Sequence, residues 1–148
     1  MCTGSPDGDR DTDGRVRVLV VDDDAEMRAL LADVLSDEGY AVEGVANGAE
    51  ALIRLRTESF AVIVLDKNMP GLSGLDLLPG LRTICPATPV IMITAFGDVA
   101  TYVDAVEKGA FDYVFKPFRM EELLRVLRRA VSSRSRPVPS VLPSRAER

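Results

Sequence analysis

The chain has 148 residues and a formal net charge of −5, with 47% hydrophobic and 28% charged residues, which fits one globular domain. Two cysteines and no histidine exclude a disulfide scaffold, a Cys/His zinc site, histidine-dependent triads and His-ligated haem. No apolar run approaches the ~20 residues of a membrane span and no secretory core opens the chain, so a cytoplasmic, reducing location without membrane attachment is expected.

Charge is uneven. Residues 16–118 carry 16 acids and 8 bases, whereas residues 119–148 carry 8 Arg and 3 Glu. The acidic body argues against nucleic-acid affinity, so no direct DNA binding by this chain is expected. Residues 1–15 have almost no apolar content and read as a disordered leader. Asp9, Asp11, Asp13 and Gly14 imitate the start of an EF-hand loop. The twelfth loop position is Val20, where calcium needs a bidentate Glu, so the motif is not read as a calcium site.

From Val16 the pattern alternates. Residues 16–21 are an aliphatic strand. Met27, Leu30, Leu31, Val34 and Leu35 then form one helical stripe over 25–38. Residues 40–45 are a second strand, and Asn47 with Glu50 opens a helix to about Thr57. Residues 60–65 are an uninterrupted apolar strand. Ser73 with Asp76 opens a third helix towards Ile84, within which Pro79-Gly80 predicts a kink or early loosening. Residues 89–93 are the fourth strand. Asp98 caps a fourth helix with Val99, Tyr102, Val103 and Val106 on one stripe, ended by Gly109. Residues 112–115 are the fifth strand. A last helix from Arg119 to about Val131 turns Met120, Leu123, Leu124, Leu127 and Val131 inward. Residues 132–148 have three prolines and four arginines without periodicity, which predicts a disordered tail too short for a DNA-binding domain.

Five βα units with strands apolar on both faces imply an α/β fold, a doubly wound parallel sheet covered on both sides. The economical order is 2-1-3-4-5, flavodoxin-like. In such sheets ligands gather beyond the carboxyl ends of the strands. Those ends carry Asp22, Asp23 and Asp24 after strand one, Asp66 after strand three, Thr94 after strand four and Lys116 after strand five. Taken singly, each has an ordinary explanation: Asp after a strand commonly caps a helix, and Asp24 reads as such a cap. Their combination around one crevice is what points to chemistry. Crowded carboxylates repel unless a cation sits among them, and an all-oxygen donor set suits Mg²⁺. A lysine and a hydroxyl opposite suit phosphoryl oxygens, and a carboxylate between them is a plausible phosphoryl acceptor.

The segments VLVVDDD, VIVLDKNMPGLSGLDLL, PVIMITA and GAFDYVFKPF strongly resemble the receiver domain of two-component response regulators, over about residues 16–131. The stretch from Ile93 to Phe118 is most similar to receivers of nitrogen-regulation-type sigma-54 activators. The resemblance implies that Asp66 is the phosphoacceptor and that Asp22, Asp23 and Asp66 hold Mg²⁺ together with the Asn68 backbone carbonyl. It implies that Lys116 pairs with the phosphoryl group and precedes a cis bond to Pro117. Thr94 and Tyr113 become the switch pair, read out on the fourth helix, fifth strand and fifth helix. The implied partners are a histidine kinase or phosphotransfer protein and an unidentified output protein, with phosphorylation-dependent homodimerisation as one form of output. Such a protein is a phosphoacceptor and switch, not a turnover enzyme. Two other classes compete with this reading. A haloacid-dehalogenase-type phosphatase wants a second Asp two residues after the first, where this chain has Asn68. A flavodoxin wants a phosphate loop after strand one, where this chain has three Asp. Lys67, directly after Asp66, has no reading from sequence.

Overall fold

The computed structural model describes residues 9–67, 73–95, 103 and 105–134. In chain order these form β1 (Arg17–Val21), α1 (Ala25–Asp37), β2 (Ala41–Val45), α2 (Gly48–Thr57), β3 (Val62–Asp66), α3 (Gly74–Ile84), β4 (Val90–Ala95), β5 (Asp112–Lys116) and a C-terminal helix (Met120–Arg134). The strands make one sheet in the order β2-β1-β3-β4-β5, with every pairing parallel. The predicted fold class is the observed one.

Local chemistry sets the helix ends. The Asp24 carboxylate accepts from the N–H groups of Glu26 and Met27. Asn47 accepts from Glu50 N–H, while the Glu50 carboxylate reaches back to Ala46 N–H at 3.1 Å. Ser73 Oγ accepts from Asp76 N–H at 3.2 Å. Gly109, at φ +104°, ends the helical residues 105–107. Its N–H bonds Val106 O while Ala110 N–H bonds Ala105 O, a pair of bonds that needs a left-handed residue between them.

Side chains alternate across the sheet and divide the core in two. Leu19, Val21, Ile63, Leu65, Val90, Met92 and Tyr113 pack with α2 and α3. Val18, Val20, Val62, Val64, Ile91, Ile93 and Val114 pack with α1 and the C-terminal helix. Each fully buried aliphatic side chain contributes about 1.5–3 kcal/mol relative to exposure. This two-sided burial is why the strands read as unbroken apolar runs.

Several local expectations need correction. The α3 helix runs through Pro79 to Ile84 without a break. Pro79 and Gly80 lie on its exposed side, while Leu77, Leu78 and Leu81 are buried, so sheet packing overrides the lost hydrogen bond. Of the stripe in the fourth predicted helix, the described members Val103 and Val106 are turned towards solvent. Val103 and Val106 are 48% and 40% exposed, and Ala105 supplies the buried contact. The cap at Asp98 and the stripe members Val99 and Tyr102 lie outside the described residues. The last helix continues to Arg134, into the segment read as tail. Part of the segment read as leader forms a turn closed by an Arg10–Val16 bridge. There Asp11 Oδ1 accepts from Asp13 and Arg15 N–H, and its other oxygen pairs with the Arg15 guanidinium. That carboxylate serves the turn, in keeping with the rejected calcium reading.

A charged cluster ties the amino-terminal edge of the sheet to α2. Glu58 accepts from Arg54 Nε at 2.7 Å and pairs with Arg17. Arg54 also reaches Glu43 at 2.7 Å, and the Arg17 guanidinium lies 4.3 Å from the Phe60 ring centroid. The Arg54 hydrogen bond, with help from Arg17, lowers the Glu58 pKa from 4.5 to about 2 despite partial burial. A depressed carboxylate pKa contributes stability that is fully present above 4.5 and is lost as pH falls through about 2. Glu58→Gln is therefore expected to lower stability at pH 7 by roughly 1 kcal/mol, discounted for exposure. It should also flatten the loss of stability between pH 4.5 and 2. Urea titrations across that range check it; parallel pH profiles for wild type and variant would contradict it.

Candidate functional site

The parallel register carries the carboxyl ends of β1, β3, β4 and β5 to one edge. Val21 lies opposite Leu65, Asp66 opposite Ile93, and Ala95 opposite Lys116. Asp22, one residue beyond β1, is thereby brought beside the end of β3. Ligand oxygens of Asp22, Asp23 and Asp66 lie within 4.8 Å of one another. Asp22 and Asp66 are buried, at 2% and 4% exposure, while Asp23 is exposed and completes the group from the solvent side. Lys116 Nζ stands 3.5 Å from Asp66 Oδ1, and the Lys116–Pro117 bond is cis as expected.

The electrostatics are those of a crowded anionic site. Burial raises the Asp22 pKa above the ordinary carboxylate value, and Asp23 and Asp24 add to the rise. The Asp24 N–H bond and Lys116 oppose it. All donors are oxygen, the cluster has an open side at Asp23, and one lysine balances three carboxylates. That set fits a hard divalent cation retaining water or substrate oxygens. It is the one acidic group of metal-binding geometry among the described residues.

Thr94 is fully buried, and its Oγ1 makes no hydrogen bond with the described residues. Tyr113 is 6% exposed and stacks obliquely on Phe115 with ring centroids 5.0 Å apart. Alternation puts Thr94 on the same sheet face as Met92, whose register partner is Tyr113. Ala105 belongs to the same core cluster. The hydroxyl, the ring and the helical segment after β4 thus share one side of the sheet. Asn68 lies outside the described residues.

Two residues at this site carry no signal in the sequence. A Cβ on Gly74 would sit 2.3 Å from the Asp66 carbonyl oxygen and 2.9 Å from Lys67 Cα. Its N–H also donates to Lys67 O at 2.8 Å, while Lys67 N–H donates to Ile93 O. The backbone of Lys67 is thus a tie between β3, β4 and the start of α3. Arg28 of α1 donates from Nη1 to the Asp22 carbonyl at 2.6 Å. Both are close approaches across a turn, six and eight residues along the chain, that follow from the path of the backbone and not from a residue pattern.

A doubly wound sheet with three carboxylates and a lysine at its switch point is the build of a cation-dependent phosphoryl-binding module. The chain belongs to the response regulator receiver domain family, whose pattern matches residues 18–128. It is 40% identical to the transcriptional regulatory protein TcrA of Mycobacterium tuberculosis over 84% of this chain and 48% of TcrA. It is also 40% identical to the DNA-binding transcriptional regulator NtrC of Escherichia coli, over 78% of this chain and 24% of NtrC. The chain therefore spans about half or less of these curated relatives' length. The crystal structure of the NtrX receiver domain from Brucella abortus superposes with a TM-score of 0.74 at 36% identity, covering 78% of this chain and 98% of that one. The matches to NtrC and NtrX bear out the resemblance to nitrogen-regulation receivers. Receivers are phosphoacceptor signalling domains, not enzymes that turn over an outside substrate, and a phosphatase reading is not favoured.

Gly74→Ala is expected to displace the Asp66 backbone or the start of α3, with a loss of roughly 1–3 kcal/mol, as for other overpacked sites. Urea unfolding measures it, and a loss under ~0.5 kcal/mol, the range of neutral surface changes, would show that the contact is relieved freely.

Proposed function

We propose that this receiver accepts a phosphoryl group on Asp66 from the phosphohistidine of a kinase or phosphotransfer protein, and that the modification changes a protein-binding face. The observation that carries this reading is Asp66 itself: buried, grouped with Asp22 and Asp23, and 3.5 Å from Lys116. An Asp66 carboxylate oxygen forms the bond to phosphorus as the donor's P–N bond breaks. The electron pair leaves with the imidazole, which takes a proton from solvent. Asp22 and Asp23, with Asp66 and the Asn68 backbone carbonyl, would hold Mg²⁺. When bound, the ion neutralises phosphoryl oxygens and so lowers the cost of bringing an anion to an anionic site. Lys116 pairs with the remaining phosphoryl charge. The receiver unit spans residues 16–134, with the preceding and following segments outside it.

The output half of the reading rests on Thr94. Its buried hydroxyl is available to hydrogen-bond a phosphoryl oxygen by moving towards Asp66. Such movement opens space beside Tyr113, whose cluster includes Ala105 of the following helical segment. The face that responds is that segment, β5 and the C-terminal helix, and it would serve an output protein or a second copy of the chain. A phosphoryl group favours this arrangement only by the bonds it gains there, which makes the switch a population shift.

Incubation with acetyl phosphate and Mg²⁺ is expected to add one phosphate to the wild type, read by intact-protein mass spectrometry, and none to Asp66→Asn. Labelling of Asp66→Asn at the wild-type rate would overturn the assignment. Thr94→Ala is expected to remain labelled while losing the response of residues 105–134 to beryllofluoride, read by amide exchange. An identical exchange response in wild type and Thr94→Ala would remove Thr94 from the pathway.

A further inference from the structure

Asp22 is held at three points. Its N–H donates to Val45 O at 3.1 Å, its Oδ1 accepts from Asp24 N–H at 2.9 Å, and its carbonyl accepts from Arg28 Nη1 at 2.6 Å. The first is a backbone bond at the strand end, and the second turns the Asp22 carboxylate onto the backbone of the turn into α1. The third depends on one side chain. The Asp22 carbonyl and the Asp23 N–H share a single rigid peptide plane, so fixing the carbonyl fixes the direction in which Asp23 leaves. Asp23 is the exposed member of the acidic group and has the least packing to hold it.

The stem of Arg28 has its own constraint. A Cβ on Gly44 of β2 would meet Arg28 Cδ at 3.3 Å and Nε at 3.8 Å. The bare backbone of Gly44 therefore leaves the track along which Arg28 runs from α1 to the Asp22 carbonyl. Neither residue touches the carboxylates' own oxygens in any bond found among the described residues. Their bearing on the site passes through the peptide plane.

We infer that Arg28 is a positioning residue for the acidic site: it locks the Asp22–Asp23 peptide plane so that both carboxylates converge with Asp66 on a divalent cation, and Gly44 leaves room for its stem. The inference rests on the receiver reading for the nature of the cation. A guanidinium so placed has a competing role, as a charge alone. The two roles differ in sign. A positive group near a dication repels it, so a purely electrostatic Arg28 would weaken Mg²⁺ binding and its removal would tighten it. Removal of a group that orients the ligands loosens binding.

The test is a MgCl₂ titration of the full chain followed by thermal melting, for wild type, Arg28→Gln, Arg28→Lys and Gly44→Ala. Metal-free melts of the same proteins read any structural cost separately. Arg28→Gln is expected to raise the Mg²⁺ Kd about tenfold, in the range known for residues that orient metal ligands. Arg28→Lys keeps the charge but ends one bond short of the Nη1 that reaches the Asp22 carbonyl, so it is expected to resemble Arg28→Gln. Gly44→Ala keeps the guanidinium and crowds its stem, so it is expected to raise the Kd by a smaller factor and supplies the test should Arg28→Gln fold poorly. Unchanged or tighter Mg²⁺ binding in Arg28→Gln, or wild-type binding in Arg28→Lys, overturns the inference. If the wild type itself shows neither Mg²⁺ stabilisation nor labelling by acetyl phosphate, the receiver reading of the metal site falls and the inference falls with it. If the wild type shows both and the variants match it, the role of Arg28 alone is refuted.

Discussion

Three carboxylates held within 4.8 Å of one another repel, and the design of this site follows from that repulsion. Two unit charges at such a separation cost about 3 kcal/mol at an effective dielectric of roughly 20. One lysine at 3.5 Å from Asp66 offsets part of it, and burial of Asp22 adds to the cost of keeping that carboxylate charged. The fold meets the cost because the acids sit at the carboxyl edge of the sheet, Asp66 as the last residue of β3 and Asp22 and Asp23 just beyond β1. In the proposed function a divalent cation would relieve the repulsion, and a phosphoryl group beside it would be met by Lys116 and Thr94. On that proposal, a tolerated repulsion becomes dependence on a ligand.

The sheet is the device that imposes this crowding. Parallel pairing sets Asp66 beside Ile93 and Lys116 beside Ala95, so groups far apart in the chain share one edge. Two apolar layers, one on each face, prevent the strands from slipping: a one-residue shift would exchange the side chains of the two layers. Thr94 and Tyr113 belong to the layer that also holds Ala105. The proposed switch would use this packed layer as its route from the acidic edge. Val103 and Val106 are exposed in the helical segment after β4.

The strand order and the acidic edge were legible because they depend on short-range pattern. Uninterrupted apolar runs mark strands buried on both sides, and residues at their carboxyl ends meet whatever the intervening loops contain. Caps were legible for the same reason, since Asn47 with Glu50 and Ser73 with Asp76 make bonds within one turn. Orientation was not. Periodicity placed Val103 and Val106 on one stripe without saying which way it faces, and the small Ala105 makes the buried contact instead. Pro79 predicts a kink or early loosening because its cost is local, whereas the burial of Leu77, Leu78 and Leu81 that overrides it is tertiary. Arg28 and Gly74 stayed invisible because each acts across a gap between segments, on the Asp22 and Asp66 carbonyls respectively. The run Asp22-Asp23-Asp24 likewise did not reveal that the first is buried, the second completes the acidic group and the third caps α1.

The most direct test is to identify the atom that carries the phosphoryl group. Borohydride reduces an aspartyl phosphate to homoserine, which peptide mapping locates after labelling with acetyl phosphate. With Mg²⁺ present, homoserine is expected at position 66 alone, and without Mg²⁺ the yield should fall to background. Homoserine at position 22 or 23, or equal yield at position 66 without Mg²⁺, would contradict an acceptor that depends on its neighbours for a cation.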